Sequence, residues 1–567
     1  MARVLPQLFL TKPLKQLSPG ASGLLGARAP FTLPTADPVT AKMSEPGTLR
    51  LPELGLSAEE AADRFGRLQQ KLVPLWTSIR AFNQQEQTIV VVPSVTAEFD
   101  VKGAAMQAYE ERFLFLLLLL RQPRARLIYV TSQSILPSTV DYYLGLLPGV
   151  IASHARSRLF LVSPQDRSPR PLTVKLLERP HLIERIRTLI GDCDRAHLVP
   201  YNTTTLERDL ALRLGIPMYG ADPKFLPFGT KSGSRRLFVE EGVPHPVGRE
   251  NIYSAEAAID AIRGIRHEKP NVRQIIVKLN EAISGEGNAI ADLQGLPPPG
   301  APDESSHIEE RMRVMRCELA GMRYETFCER LERYGGVVEE RIAGEEFRSP
   351  SVQLRVTPLG EVELLSTHDQ LLGGPGGQRY LGCRFPADPE YAPMITREAK
   401  KVGTRLAKEG VIGRFAIDFV VVRSAKEAWQ PHAIEVNLRK GGTTHPFLTL
   451  QFLTDGTYDP DKAVFLTPGG HEKHFVATDH VESPAYRVFS PDDLFDIAVR
   501  HGLHFDQTRE TGVVFHMLAS LAENGQIGLV AIGDSAAEAD ALYRQTQSVL
   551  DDESRLALAP RVLPAID

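Results

Sequence analysis

Two strand-like runs, GRFAIDFVVV (413–422) and HAIEVNLRK (432–440), lie a short polar stretch apart and constrain the chain more than any other feature. Both are rich in β-branched and apolar residues, so they read as adjacent strands. Side chains alternate across a pleated strand. Glu435, Asn437 and Arg439, at spacing i, i+2, i+4, therefore project from one face. If the two strands pair as a hairpin, Asp418 joins them. Two carboxylates and an amide oxygen make a hard-oxygen site of the kind Mg²⁺ takes when phosphate oxygens complete its octahedron. Arg439 beside them offers a planar fork for phosphate or for a charged transition state. A surface salt-bridge ladder would also give E-x-N-x-R, but the upstream Asp within a strand favours the metal reading.

A second cluster lies upstream. Lys278 closes the apolar strand QIIVK and precedes LNEAISGEGNA. A lysine at a strand end can neutralise phosphate while backbone N–H groups of 284–289 cradle it, which brings in Ser284, Gly285, Gly287 and Asn288. No GK[ST] follows, so this is not a Walker A loop. Lys231, in GTKSGSRRLF just before a helical stretch, is another candidate phosphate lysine. The third cluster is VVEERIAGEEF (337–347). Its backbone at Glu340 and Ile342 could hold a base, and a carboxylate, Glu339 or Glu346, the ribose hydroxyls. An exposed acidic turn would look the same in isolation. Arg348 is a weaker candidate for a substrate carboxylate, and His445 for a base.

From Thr88 to Tyr219 strand-like and helix-like segments alternate, which implies a mainly parallel sheet with crossover helices. Thr204-x-x-Glu207 opens a helix with a capping box and Gly215 stops it, before a short strand IPMYG. Residues 346–470 read as an antiparallel sheet with one long helix, 397–409, stopped by Gly410. A helical insertion is expected near 307–333. The tail carries two strands around Glu523-Asn524-Gly525, a hairpin signal, and then a helix near 536–549. The apolar run 113–120 falls short of the about 20 residues a bilayer requires and reads as the buried end of a helix. A formal net charge of -5 over 567 residues, with no basic block, argues against a nucleic-acid partner. Four separated cysteines without a CxxC pair suit a reducing cytoplasm. Residues 1–42, with five basic residues and a single acid, read as a disordered tail, an upstream extension or an organelle-import segment.

Taken together, the clusters resemble the ATP-grasp superfamily. Its order of lysine, lysine with a glycine-containing loop, acidic hinge, then Asp and Glu-x-Asn is met between Lys231 and Pro446. The hinge positions Glu339, Ile342 and Glu346 are similar to those of D-alanine–D-alanine ligase, and Glu435-x-Asn437-x-Arg439 to the motif in biotin carboxylase. Phrases such as VDYYLGLLPG (140–149), GTKSGSRRLF and KLNEAISGEGNA resemble the ATP-grasp peptide ligases of pheganomycin biosynthesis. The resemblance implies an α/β protein, α+β in its catalytic part. It divides as a disordered or targeting segment (1–48), a parallel-sheet pre-ATP-grasp domain (49–225), a small lobe (226–345), a large lobe with the metal site (346–475) and a small C-terminal α+β domain (476–567). The implied activity is ATP-dependent joining of a small-molecule carboxylate to an amine through an acyl phosphate, with Arg439 and Lys278 catalytic. Mg²⁺, or Mn²⁺ in its place, would sit on Asp418, Glu435 and Asn437. A homodimer stays open, no membrane partner is expected, and a catalytically silent ATP-binding regulator, a phosphotransferase and a thioester-forming ligase remain alternatives.

Overall fold

The structure, a computed structural model, describes residues 54–80, 86–96, 103–281, 285–425 and 427–559. The N-terminal 1–48 segment and Ser284 lie outside the described residues.

The alternation of the first third becomes a four-stranded parallel sheet. Its strands are Gln87–Val92, Ala125–Val130, Leu159–Val162 and Ala196–Pro200, arranged in the order third, second, first, fourth. Thr204 caps the helix Thr205–Leu214 with the reciprocal Glu207 capping box, and Gly215 stops it at φ 73°. IPMYG contributes only a single bridge, Leu198 to Met218, rather than a strand. Pro217 has no N–H with which to extend the ladder. The apolar run is buried as expected, but it winds as a 3₁₀ helix, Leu114–Arg121, after the α-helix Ala104–Glu111. Among the described residues no helix is long and apolar enough to cross a membrane.

A second, antiparallel sheet has five strands in the order Gly248–Ile252, Gly336–Glu340, Gln274–Leu279, Asn288–Asp292, Arg316–Cys317. Ile262 and Ile265 of Ala255–Glu268, Ile308 of Glu304–Arg313 and Phe327 and Leu331 of Tyr324–Tyr334 pack against Ile275, Val277 and Val338 of this sheet. The expected insertion is thus two helices separated by the short edge strand Arg316–Cys317.

The third sheet has nine strands and carries the site. Gly413–Arg423 lies one strand in from an edge. One edge of it pairs with Glu346–Arg348 and Pro350–Val356 in one continuous register, and Gln430–Asn437 takes the other. The hinge therefore crosses between sheets, since Gly336–Glu340 belongs to the five-stranded sheet and Glu346–Arg348 to this one. The helix Ala392–Glu409 begins earlier than its periodicity suggested, with Pro393 in the first turn where a missing N–H does no harm, and ends on left-handed Gly410. A second helix, Thr444–Thr454, is buried along its whole length and has no polar face to betray it in the sequence. The sheet does not stop near residue 475. Arg379–Phe385 pairs with His474–Glu482, which pairs with Gln526–Gly533 and, through it, with Gly512–His516. The last two strands do pair, but a 3₁₀ turn and the short helix Leu521–Asn524 connect them, so Gly525 is a helix stop instead of a hairpin turn.

Candidate active site

One cleft, enclosing about 180 Å³, lies between the two antiparallel sheets, with the N-terminal unit closing one end. The pairing of Gly413–Arg423 with Gln430–Asn437 sets Asp418 directly across from Glu435 and Ala416 across from Asn437, with a bulge just after Asp418. The Asn437 amide nitrogen donates to Asp418 Oδ2 at 2.8 Å and to Glu435 Oε1 at 3.0 Å, and Gln370 Nε2 donates to Asp418 Oδ1 at 2.8 Å. One amide nitrogen thereby ties the two carboxylates together at the cleft wall. Burial, and then Glu435 opposite, push Asp418 up to about 6. Burial also opposes the charge on Glu435, but Lys231, Lys278 and Arg439 hold it below the ordinary carboxylate range. A recessed pair of hard-oxygen donors beside a cavity fits an Mg²⁺ ion.

The lysines come from the other sheet and its flanking helix. Lys231 opens the helix Lys231–Glu240, whose Thr230 cap accepts from Gly233 N at 3.0 Å. Only glycine fits at 233, because a Cβ there would lie 1.8 Å from Pro227 O. This anchoring brings Lys231 Nζ to 3.2 Å from Glu435 Oε2. Lys278 Nζ lies 2.6 Å from Glu339 Oε2, and Arg235 Nη1 holds the other oxygen at 2.7 Å. Against the opposing effect of burial, Lys278 and Arg235 keep Glu339 ionised.

Of the residues singled out in the sequence, Lys231, Lys278, Gly285, Asn288, Asp418, Glu435, Asn437 and Arg439 line the cleft. Arg439 does so from a bend, since its strand ends at Asn437, and Nη1 donates to Lys440 O at 3.1 Å. Gly287 sits in the turn behind, where its carbonyl accepts from Leu279 N. At the hinge the wall is formed by Phe347. Glu339 lies behind Lys278, Glu340 accepts from Val247 N and pairs with Lys269, and Glu346 pairs with Arg423 at 2.7 Å. Ile342 is half-buried off the wall, and Arg348 is exposed and donates to Phe347 O.

Two loops meet over the lysines. Gly285, at φ 81°, approaches so closely that a Cβ would lie 2.5 Å from Gln378 O. Gln378 belongs to the tip of the hairpin between Val362–Gly373 and Arg379–Phe385. Buried Glu318, just past the edge strand of the five-stranded sheet, accepts from Gly376 N at 2.8 Å and Gln378 N at 3.4 Å. The glycine-rich hairpin is therefore clasped to the opposite sheet.

The far end of the cleft was not visible in the sequence. Tyr109, Arg112, Tyr201, Tyr380, Asp479 and His480 line it. Arg112 Nη2 pairs with Asp479 Oδ2 at 2.8 Å. His516 Nε2 lies 2.9 Å from Asp479 Oδ1, and His445 Nε2 lies 3.0 Å behind His516. His445 is thus buried behind the wall, its Nε2 3.5 Å from Asp479 Oδ1, where its burial and His516 keep it neutral. The donor atoms of His445, Asp479 and His516 converge within 4.8 Å, but the Arg112 guanidinium already offsets the one carboxylate among them. No local pattern announces this end, because it joins a residue of the first unit to one near the C-terminus.

The chain is similar to several known proteins. The ATP-grasp domain described for IQCH-like proteins matches residues 226–318 and 307–461, and the PGM1 C-terminal domain matches 493–546. The L-propargylglycine–L-glutamate ligase of Streptantibioticus cattleyicolor is 28% identical over 479 residues, covering 83% of this chain and 93% of that protein. IQ motif-containing protein H of Danio rerio is 26% identical over 343 residues, 53% of this chain, which spans only 32% of that relative. The solved biotin carboxylase of Campylobacter jejuni, in its β,γ-ATP complex, aligns at 13% identity with a TM-score of 0.48, covering 83% of this chain and 96% of that one.

Proposed function

We propose that this chain, an ATP-grasp protein, is an ATP-dependent ligase that joins a carboxylate to an amine and releases ADP and phosphate. The observation that carries the reading is the convergence of Asp418, Glu435 and Asn437 with Lys231, Lys278 and Arg439 on one cleft. The similarity to a ligase acting on two amino acids extends the proposal to amino-acid substrates.

The chemistry to be done is phosphoryl transfer to a carboxylate, followed by attack of an amine on the acyl phosphate. A carboxylate is a poor acyl donor at neutral pH, so ATP supplies the driving force. Asp418 and Glu435 would hold Mg²⁺, joined by Asn437 Oδ1 once that amide turns its oxygen to the ion, and the ion would neutralise charge on the phosphoryl group being transferred. Lys278, aimed by Glu339, and Lys231, aimed by Glu435, place two cations beside the polyphosphate. Arg439 offers a planar fork to the transferring group or to the tetrahedral adduct. Phe347 and Phe419 supply an apolar wall for a base near the sheet crossing.

The cleft volume of about 180 Å³ is below the roughly 300–1,000 Å³ of ligand pockets. A nucleotide would enter only when the Gly285 turn and the 374–378 tip part, and the Glu318 clasp would then reclose to exclude water.

The first test is thermal unfolding with and without Mg-ATP, where ligand at 100 times its dissociation constant adds about 2.7 kcal/mol. A mass-spectrometric screen of amino-acid pairs with ATP, scored for loss of water and release of ADP, then identifies product. An unshifted melting temperature at saturating Mg-ATP would defeat the reading.

A further inference from the structure

The proposed phosphoryl chemistry leaves one end of the cleft without a task. Arg112 and Asp479 face the cavity there, yet their side chains are only 6% and 5% exposed. Withdrawing both charges from water costs several kcal/mol per ion, and a pair that only fastened two segments together could do so away from a cavity. Asp479 is fixed from behind by His516 at 2.9 Å, itself backed by His445 at 3.0 Å, so its carboxylate cannot swing away. Arg112 lies over the Tyr109 ring, 4.9 Å from its centroid, which fixes the guanidinium plane. A guanidinium carries five N–H donors in a rigid fork, more than one carboxylate oxygen consumes. Tyr201 and Tyr380 complete the wall with amphipathic rings.

A fixed cation beside a fixed anion, rimmed by aromatic rings, is complementary to a ligand that carries both charges a few bonds apart. We infer that this end of the cleft seats an α-amino acid, with its carboxylate on Arg112 and its ammonium drawn to Asp479. The inference rests on the ligase reading and gives one of its amino-acid substrates a seat at Arg112 and Asp479. A simple amine or a simple acid would satisfy half of the pair and leave the other buried charge facing the wrong group, which is how such a seat discriminates.

Calorimetry on the full chain with Mg-ADP present, titrated with each proteinogenic L-amino acid, tests the seat. For every amino acid that binds, the matching decarboxylated amine and deaminated acid are titrated too. At least one amino acid should bind, and its two truncated partners should bind on the order of 10²-fold more weakly. Arg112→Gln alone strands Asp479 and could unfold the chain. The double variant Arg112→Gln/Asp479→Asn removes both charges together, so neither is left stranded. It should retain the melting shift with Mg-ATP, lose about 10²-fold in amino-acid affinity and lose the preference over the matching amine. The seat is overturned if no amino acid binds wild-type protein that still responds to Mg-ATP, or if the double variant keeps the preference. Wild-type protein that does not respond to Mg-ATP overturns the ligase reading itself, and this inference with it.

Discussion

Two sets of acidic side chains in this molecule, one in the parallel-sheet unit and one around the cleft, are withdrawn from water and treated oppositely. In the parallel-sheet unit Glu110, Glu111 and Glu207 are met by neutral donors. Ser132 donates to Glu110 from both N and Oγ, Ala519 N donates to Glu111, and Thr173 and Thr204 donate to Glu207. Lys175 reaches Glu110 only through the Ser132 hydroxyl. Burial pushes all three carboxyls up to about 7. Around the cleft, Glu339 meets Lys278 and Arg235, Asp479 meets Arg112, and half-buried Glu435 meets Lys231. There burial acts in the same upward direction but is outweighed, and each acid is held below the ordinary carboxylate range. Neutral hydrogen bonds satisfy lone pairs without offsetting the solvation a charge loses, whereas a paired cation does both. Charge is kept at these cleft acids and opposed at these three scaffold acids, whereas Asp166 and Glu178 of the same unit keep arginine partners. Asp418, pushed up to about 6, is the cleft's exception. It faces a second carboxylate, and the neutral amides of Asn437 and Gln370 are among its donors.

Variants that neutralise one acid at a time sharpen this contrast. Glu435→Gln keeps side-chain volume but removes a charge that Lys231 and the proposed metal both use. Single-turnover ligation should fall by about 10³-fold or more with little change in melting temperature. A rate within a few-fold of wild type would place the metal elsewhere. Arg439→Lys keeps the cation but loses the fork, and should lower the ligation rate by about 10²–10³-fold while Mg-ATP affinity falls much less. Equal losses in rate and affinity would make Arg439 a ground-state contact only. Glu318→Ala opens the clasp without touching the charged wall. ATP hydrolysis that is not coupled to product should rise about tenfold, measured as phosphate released per ligated product. Unchanged coupling would reduce Glu318 to a turn-stabilising residue.

What could be read in the sequence was what is local to one strand pair. Asp418 faces Glu435 because alternation and a short connection dictate it, and the structure sets them across one ladder. The same logic carried Arg439 one step too far. The strand ends at Asn437, and Arg439 reaches the cleft through the bend that follows. Lys278 and Glu339 were each visible, but not as a pair, since their contact arises between neighbouring strands with Ile276 opposite Glu339. Helix Thr444–Thr454 adds to the one long helix expected in 346–470, because a helix buried on every side has no period to detect. Nothing in the sequence marks the pairing of Arg379–Phe385 with His474–Glu482, yet that pairing delivers Asp479 to Arg112.

The smallest expected effect on turnover comes from Glu207→Gln, which tests the scaffold half of the comparison. Glu207 Oε2 accepts from Thr204 N at 2.9 Å and Thr204 Oγ1 at 2.7 Å, and Oε1 accepts from Thr173 Oγ1 at 2.7 Å. A glutamine can keep Oε1 on Thr204 and donate Nε2 to Thr173, whose hydroxyl rotates to accept, and Gln is an ordinary third residue of a capping box. The pH dependence then carries the argument. With the folded carboxyl up to about 7 and the ordinary value at 4.5, folded protein holds a proton between those limits that unfolded chain has lost. The wild-type contribution is therefore fully present below pH 4.5 and is lost as pH rises through about 7. Glutamine does not titrate, so the variant should gain on wild type by about 1–3 kcal/mol between pH 5 and pH 8, with turnover unchanged. Denaturant unfolding of both proteins at the two pH values reads the difference directly. A stability difference independent of pH would mean that Glu207 stays ionised on its hydroxyl donors, and scaffold and cleft would then not differ in the way proposed.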